Sequence, residues 1–177
     1  DNHQIRKIML PILPTSLPTF IPSSNPTNIP TLYLLPSEPY LSVTTLAGDG
    51  EGNINGIGTN AKFDSPEGIS ISSDNSYALI ADRSNTQIRK LILSTLEVST
   101  IAGSISGSDN GIGTNAKFTG AWGISISSDN SYALIADYNI YQIRKIILST
   151  LEVTTIAGSI SGSINGIGTN AQFKRPT

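Results

Sequence analysis

The sequence has no cysteine, one histidine, one methionine and one tryptophan, and only 14% of its 177 residues are charged. Without cysteine there is no disulfide framework and no thiolate for metal or redox chemistry. A single histidine, His3, leaves almost no material for a zinc site or a Ser-His-Asp arrangement. A net charge of −2 with no basic run argues against a nucleic-acid partner. No apolar run approaches the roughly 18 residues of a membrane-spanning helix, so no membrane insertion is expected. No signal peptide is recognisable either. What fills the space is 24 Ser, 17 Thr and 26 Ile. β-Branched side chains are stiff in helices and pack well on a pleated surface, which points to an all-β fold.

The string GIGTNAKF at Gly56–Phe63 recurs at Gly111–Phe118, and GIGTNAQF follows at Gly166–Phe173, with a constant spacing of 55 residues. Residues 56–110 and 111–165 are identical at 44 of 55 positions. A fixed period of this length signals a propeller, solenoid or array. Within one period the hydrophobic pattern breaks into short pieces, as strands do. Strands are predicted at 68–72 (GISIS), 77–82 (YALIAD), 87–93 (QIRKLIL) and 98–102 (VSTIA), with a tight Ser73–Ser76 turn after the first. A Gly-, Ser- and Asn-rich stretch of about twenty residues leads into the next copy. Four antiparallel strands per period make one propeller blade.

At these residues the chain resembles the NHL-repeat family. The resemblance rests on Ala61–Lys62–Phe63, Pro66 with Gly68–Ile69, Ala81–Asp82, Asn85, Ile88–Arg89 and Thr100–Ile101–Ala102–Gly103. It covers 42–177, with residues 1–7 as a partial copy; the second copy departs from it at Ala121 and Ile140. The resemblance implies a β-propeller, in a family whose rings have about six blades. It assigns no function, because such propellers serve as enzymes, RNA binders, sensors and adhesion modules.

The blades are incomplete in this chain. Gln4–Ile5–Arg6–Lys7 matches Gln87–Lys90, a third strand, and Val43–Gly48 matches a fourth. Val43 lies 36 positions after Lys7 where the copies have eight, an insertion of 28 residues. Eight of the ten prolines fall in that insertion, from Pro11 to Pro39, interleaved with eight Ser or Thr. Proline fixes φ and removes a donor, so residues 11–41 are expected to be an extended linker or stalk. Two readings fit: a plain linker, or a mucin-like stalk O-glycosylated at Thr15, Ser16, Thr19, Ser23, Ser24, Thr27 and Thr31 and therefore secreted or on the cell surface. Residues 1–10 are expected to complete a blade of a neighbouring module, with Gln4, Ile5, Arg6, Lys7, Ile8 and Met9 as an assembly strand. The expected partners are other copies of the chain or an adjacent propeller module, with covalent glycans besides.

Candidate chemistry is thin. Gly56–Ala61 matches G-x-G-x-x-A, but a dinucleotide site needs a helix directly after it and the pattern here is not helical. Asp82 and Asp137 read as structural turn caps, and Arg89 and Arg144 as blade-to-blade donors or solvated heads. No catalytic residue, metal or cofactor is expected. The differences between copies say more. Eight of the eleven fall in two clusters: Asp64–Glu67 becomes Thr119–Trp122, and Arg83–Thr86 becomes Tyr138–Tyr141. In an up-and-down blade those two connections emerge on one rim, giving a candidate interaction face of Trp122, Tyr138, Ile140, Tyr141, Arg83 and Glu67. The expected function is a non-catalytic extracellular structural or interaction glycoprotein whose modules assemble head to tail, into fibres in the extreme. The alternative is a fragment of a larger propeller enzyme or ligand sensor with its site elsewhere.

Overall fold

The structure, a computed structural model, describes residues 3–9 and 42–177. Thr15, Ser16, Thr19, Ser23, Ser24, Thr27 and Thr31 lie outside the described residues. The chain divides into two units, one of Asp1–Ile5 with Thr45–Thr177 and one of Arg6–Thr44.

Two complete blades occupy the larger unit. In the first, β4 (Pro66–Ile71), β5 (Tyr77–Asp82), β6 (Gln87–Ile92) and β7 (Glu97–Ala102) pair antiparallel in order. The second repeats this with β9 (Ala121–Ile126), β10 (Tyr132–Asp137), β11 (Gln142–Ile147) and β12 (Glu152–Ala157). The pattern located the strands, but β4 starts two residues before the expected Gly68. Pro66 pairs with Asp82 across a bulge, which an edge strand tolerates because proline has no donor to offer a second neighbour. The Gly-rich stretch is not all loop: β3 (Gly56–Ile57) and β8 (Gly111–Ile112) each add a short fifth strand beyond β7 and β12. A single 3-10 turn follows each, at Gly58–Asn60 and Gly113–Asn115.

The hairpin between β4 and β5 shows why the sequence turns there. Ser72 Oγ donates to Asp74 Oδ1 at 2.6 Å, and the Ser76 amide and hydroxyl donate to the same oxygen at 3.1 and 2.8 Å. These donors hold the Asp74 carboxyl below the usual range, led by Ser72, and Asn75 takes the left-handed backbone that asparagine tolerates. Ser127, Asp129 and Ser131 repeat the turn.

The first blade buries both faces. Leu79, Ala81, Ile88 and Ala102 of the first blade pack with Ala121, Ala133, Ile135, Ile146 and Val153 of the second. The opposite face of the first blade, Ile80, Leu91 and Val98, packs with Ala61, Phe63, Ala47 and Ile5. Each fully buried Leu, Ile or Val side chain contributes about 1.5–3 kcal/mol. β4 also approaches β9 so closely that a Cβ on Gly68 would collide with the Trp122 carbonyl oxygen.

One expectation is corrected. β1 (Ile5–Met9) pairs with β2 (Ser42–Ala47) of its own chain rather than joining a strand of a neighbouring module. The two match the third and fourth strands of a blade in the repeat register. Among the described residues no first or second strand joins them.

Candidate functional site

The two variable clusters do emerge together at one rim. Trp122, at the start of β9, stacks on Tyr138, just past the end of β10, with ring centroids 4.7 Å apart and an interplanar angle of 26°. The Arg83 guanidinium lies over Trp122 at 4.8 Å, and that of Arg175 over Tyr138 at 5.6 Å. The four groups form a column of successive contacts, Arg83–Trp122–Tyr138–Arg175, with cation–π contacts at both ends. Glu67 extends it, 3.4 Å from Arg83 Nη1. The column crosses from the first blade, over the second, to the segment that follows it. Trp122 and Tyr138 are half-buried.

Ile140 and Tyr141 sit in the same turn but outside the column. Tyr141 has left-handed backbone at φ 59°, and its carbonyl packs against Gly158. His3, which occupies the position of Thr86 and Tyr141 in its own partial blade, is half-buried at this rim and accepts the Ser65 amide at Nδ1 (3.3 Å).

Beneath the rim lies a feature the sequence did not disclose. Arg89 and Asp82, treated as separate structural residues, form a fully buried ion pair at 2.7 Å. Arg89 also donates to the carbonyls of Lys62 (3.1 Å) and Ile54 (3.0 Å) and to Asn55 Oδ1 (2.8 Å). Its guanidinium lies 5.2 Å from the Phe63 ring centroid. Asp82 meanwhile accepts the Asp64 amide at 2.8 Å and Asn85 Nδ2 at 2.9 Å. The arginine thus clamps the Gly-rich lead-in onto its blade. A register shift between Ile88 and Arg89 accompanies the inward placement of this side chain. The spacing of Asp82 and Arg89 on paired strands, Ile80 opposite Arg89, was the signal available, but it carries no mark of burial.

The second blade repeats the clamp in looser form. Arg144 donates to Lys117 O (2.8 Å), Asp109 O (3.0 Å) and Asn110 Oδ1 (3.1 Å), but stands 3.6 Å from Asp137. Ile140 replaces Asn85, so the amide donor to the carboxylate is gone. Burial then dominates: it pushes the Asp137 carboxyl up to about 6 and lowers Arg144 from its ordinary range. Toward the other end of the strands a cleft of about 370 Å³ opens between Tyr77, Leu79, Lys90 and Ile101 of the first blade and Leu148 and Leu151 of the second. Among the described residues no cluster of His, Asp or Glu could hold a metal ion.

No family model and no curated protein matches the chain. Solved structures do. One, an auxiliary nutrient binding protein from Bacteroides thetaiotaomicron, is 23% identical with a TM-score of 0.54, covering 66% of this chain and 30% of that one. Another, described in the same words, from Bacteroides ovatus, is 20% identical with a TM-score of 0.55, covering 65% and 29%. The chain thus spans less than a third of the length of either. These likenesses define the class: an all-β chain built as part of a propeller.

Proposed function

We propose that the chain is part of an NHL-type propeller acting as a non-catalytic, extracellular interaction and assembly glycoprotein. The observation that carries this reading is the rim. The scaffold is held nearly constant between copies, while the substitutions gather where Arg83, Trp122, Tyr138 and Arg175 stack at the surface. Aromatic and arginine side chains at a rim are the composition of a contact surface. Two carboxylates beneath it, Asp82 and Asp137, are engaged by lead-in amides and by the clamping arginines, which leaves them poorly placed as general acids or bases. The extracellular and glycoprotein parts rest on the Pro/Ser/Thr composition of residues 11–41.

A photo-reactive side chain at position 141 should cross-link one defined species in the secreted material of the source, and one at position 95, in the opposite turn, should not. Trp122→Ser with Tyr138→Ser should abolish the product while the fold persists. Equal yields from both positions, or unfolding of the double variant, contradict the contact-face reading. Intact mass of native material above that of the polypeptide, in sugar increments, checks the glycan part.

A further inference from the structure

The cleft between the two blades holds a half-buried cation. It opens at the end of the strands away from the aromatic column and has a volume of about 370 Å³. Leu79, Lys90 and Ser99 are cross-strand neighbours on β5, β6 and β7, so they stand in a row on the face turned toward the second blade. Tyr77 lies two residues from Leu79 on the same face, and Lys90 Nζ stands 4.4 Å from its ring centroid. The second blade closes the cleft with Leu148, Ser149 and Leu151, in the turn between β11 and β12. Leu151 has left-handed backbone at φ 59° and is pinned on both sides. Its amide donates to Ile147 O at 2.7 Å, and its carbonyl accepts the Gly113 amide at 2.9 Å. That wall is therefore preformed.

Charge and space in the cleft both point to a ligand. Among the described residues no carboxylate lies within ion-pair distance of Lys90. Asp74, whose charge reaches Tyr77, is held by the Ser72 and Ser76 hydroxyls instead. An ammonium partly withdrawn from water gains from a bound anion. The walls beside it, Ile101, Leu148 and Leu151, are apolar. Lys145 stands over Tyr132 in the same way, at 4.5 Å, so the Lys–Tyr pair belongs to the blade scaffold. Ser99 does not: the corresponding residues of the other copies are Thr44 and Thr154. Threonine suits a strand better than serine, yet the copy that lines the cleft omits the methyl group.

We infer that this cleft binds a small aliphatic monocarboxylate. Its carboxylate sits on Lys90, with the Ser99 hydroxyl as a further donor, and its chain lies along Ile101, Leu148 and Leu151. One ammonium balances one negative charge, which favours a monoanion over a phosphate ester. The volume falls at the small end of ligand pockets, about 300–1,000 Å³, which suits a short chain. The inference goes beyond the rim reading and uses none of its residues.

Titration of the 177-residue chain with octanoate, followed by amide NMR, tests this. Saturable shifts should centre on Lys90, Ser99 and Leu151, and octan-1-ol, which has the same chain without the charge, should bind about tenfold more weakly or worse. Lys90→Met keeps the stem and removes the charge, so octanoate affinity should fall by about tenfold or more, to that of the alcohol. Ser99→Thr installs the residue of the other copies, so it should melt no lower than the wild type. Its extra methyl should nevertheless weaken octanoate by about fivefold or more. Absence of saturable octanoate binding, equal affinity for the alcohol, or unchanged affinity in either variant overturns the inference. Each of those results leaves cross-linking from the rim unaffected and so separates this proposal from the functional one.

Discussion

Replacing Arg89 by methionine removes the guanidinium and keeps most of the apolar stem. Asp82 would then stay buried without its 2.7 Å partner, and the carbonyls of Lys62 and Ile54 and the Asn55 amide oxygen would each lose a donor. Breaking one side of a buried ion pair costs about 3–5 kcal/mol. Domain stabilities are about 5–15 kcal/mol, so this one change removes about a fifth or more of the total. The second blade is an internal control. At 3.6 Å, Arg144 makes no direct hydrogen bond to Asp137, and a charge-assisted bond contributes about 1.5–3 kcal/mol. Arg144→Met should therefore cost about 1.5–3 kcal/mol less than Arg89→Met. Urea unfolding at pH 7 measures both. Asp82→Asn combined with Arg89→Met should recover part of the loss, because no charge is left buried alone. An Arg89→Met cost under about 1 kcal/mol, or one no larger than that of Arg144→Met, would refute the clamp.

The Asp137 carboxyl, raised by burial from 3.8 to about 6, keeps its proton in the folded chain over a range where the unfolded chain has released it. Its contribution is complete below about pH 4 and is lost as pH rises through about 6, on the order of 3 kcal/mol at ~1.4 kcal/mol per pH unit. Ile140→Asn supplies the donor that Asn85 gives Asp82, so it should gain stability relative to wild type between pH 5 and 7; an unchanged difference in urea midpoints would speak against this. Gly103 has φ 85°, and a Cβ there would meet the Thr86 carbonyl oxygen, whereas Gly50 at φ 87° has open space. Thermal melts should show Gly103→Ala costing at least ~1–3 kcal/mol more than Gly50→Ala, since both share the backbone strain and one alone has the clash. Trp122→Ser with Tyr138→Ser removes a stacked pair that contributes about 0.5–1.5 kcal/mol beyond its area, so the double variant should remain folded by circular dichroism.

The repeat made most of the fold legible. Alternation in GISIS and YALIAD placed the strands because period-two patterning is local, and Ser73–Ser76 announced its turn for the same reason. Proline at 66 obscured the start of β4, since its tolerance depends on lying at a sheet edge, which is a tertiary fact. Of the candidate face, the positions were readable from where the copies differ, but the stacking of Trp122 on Tyr138 between two arginines was not. That column depends on the rotation between successive blades. The Asp82–Arg89 pair was missed for a related reason. A charged residue seven positions from another looks solvated until the lead-in folds over it, and the lead-in, rich in Gly and Asn, looks like a loop.

Amide hydrogen exchange of the three lead-ins tests the central claim most directly, that Arg89 and Arg144 hold the lead-ins of their blades in place. In dilute wild-type chain the Lys62 and Lys117 amides, both bonded within clamped lead-ins, should be well protected, and the Gln172 amide, bonded to Ile164 O in a lead-in that no arginine among the described residues clamps, should exchange at least tenfold faster. Equal protection of all three amides would contradict the account.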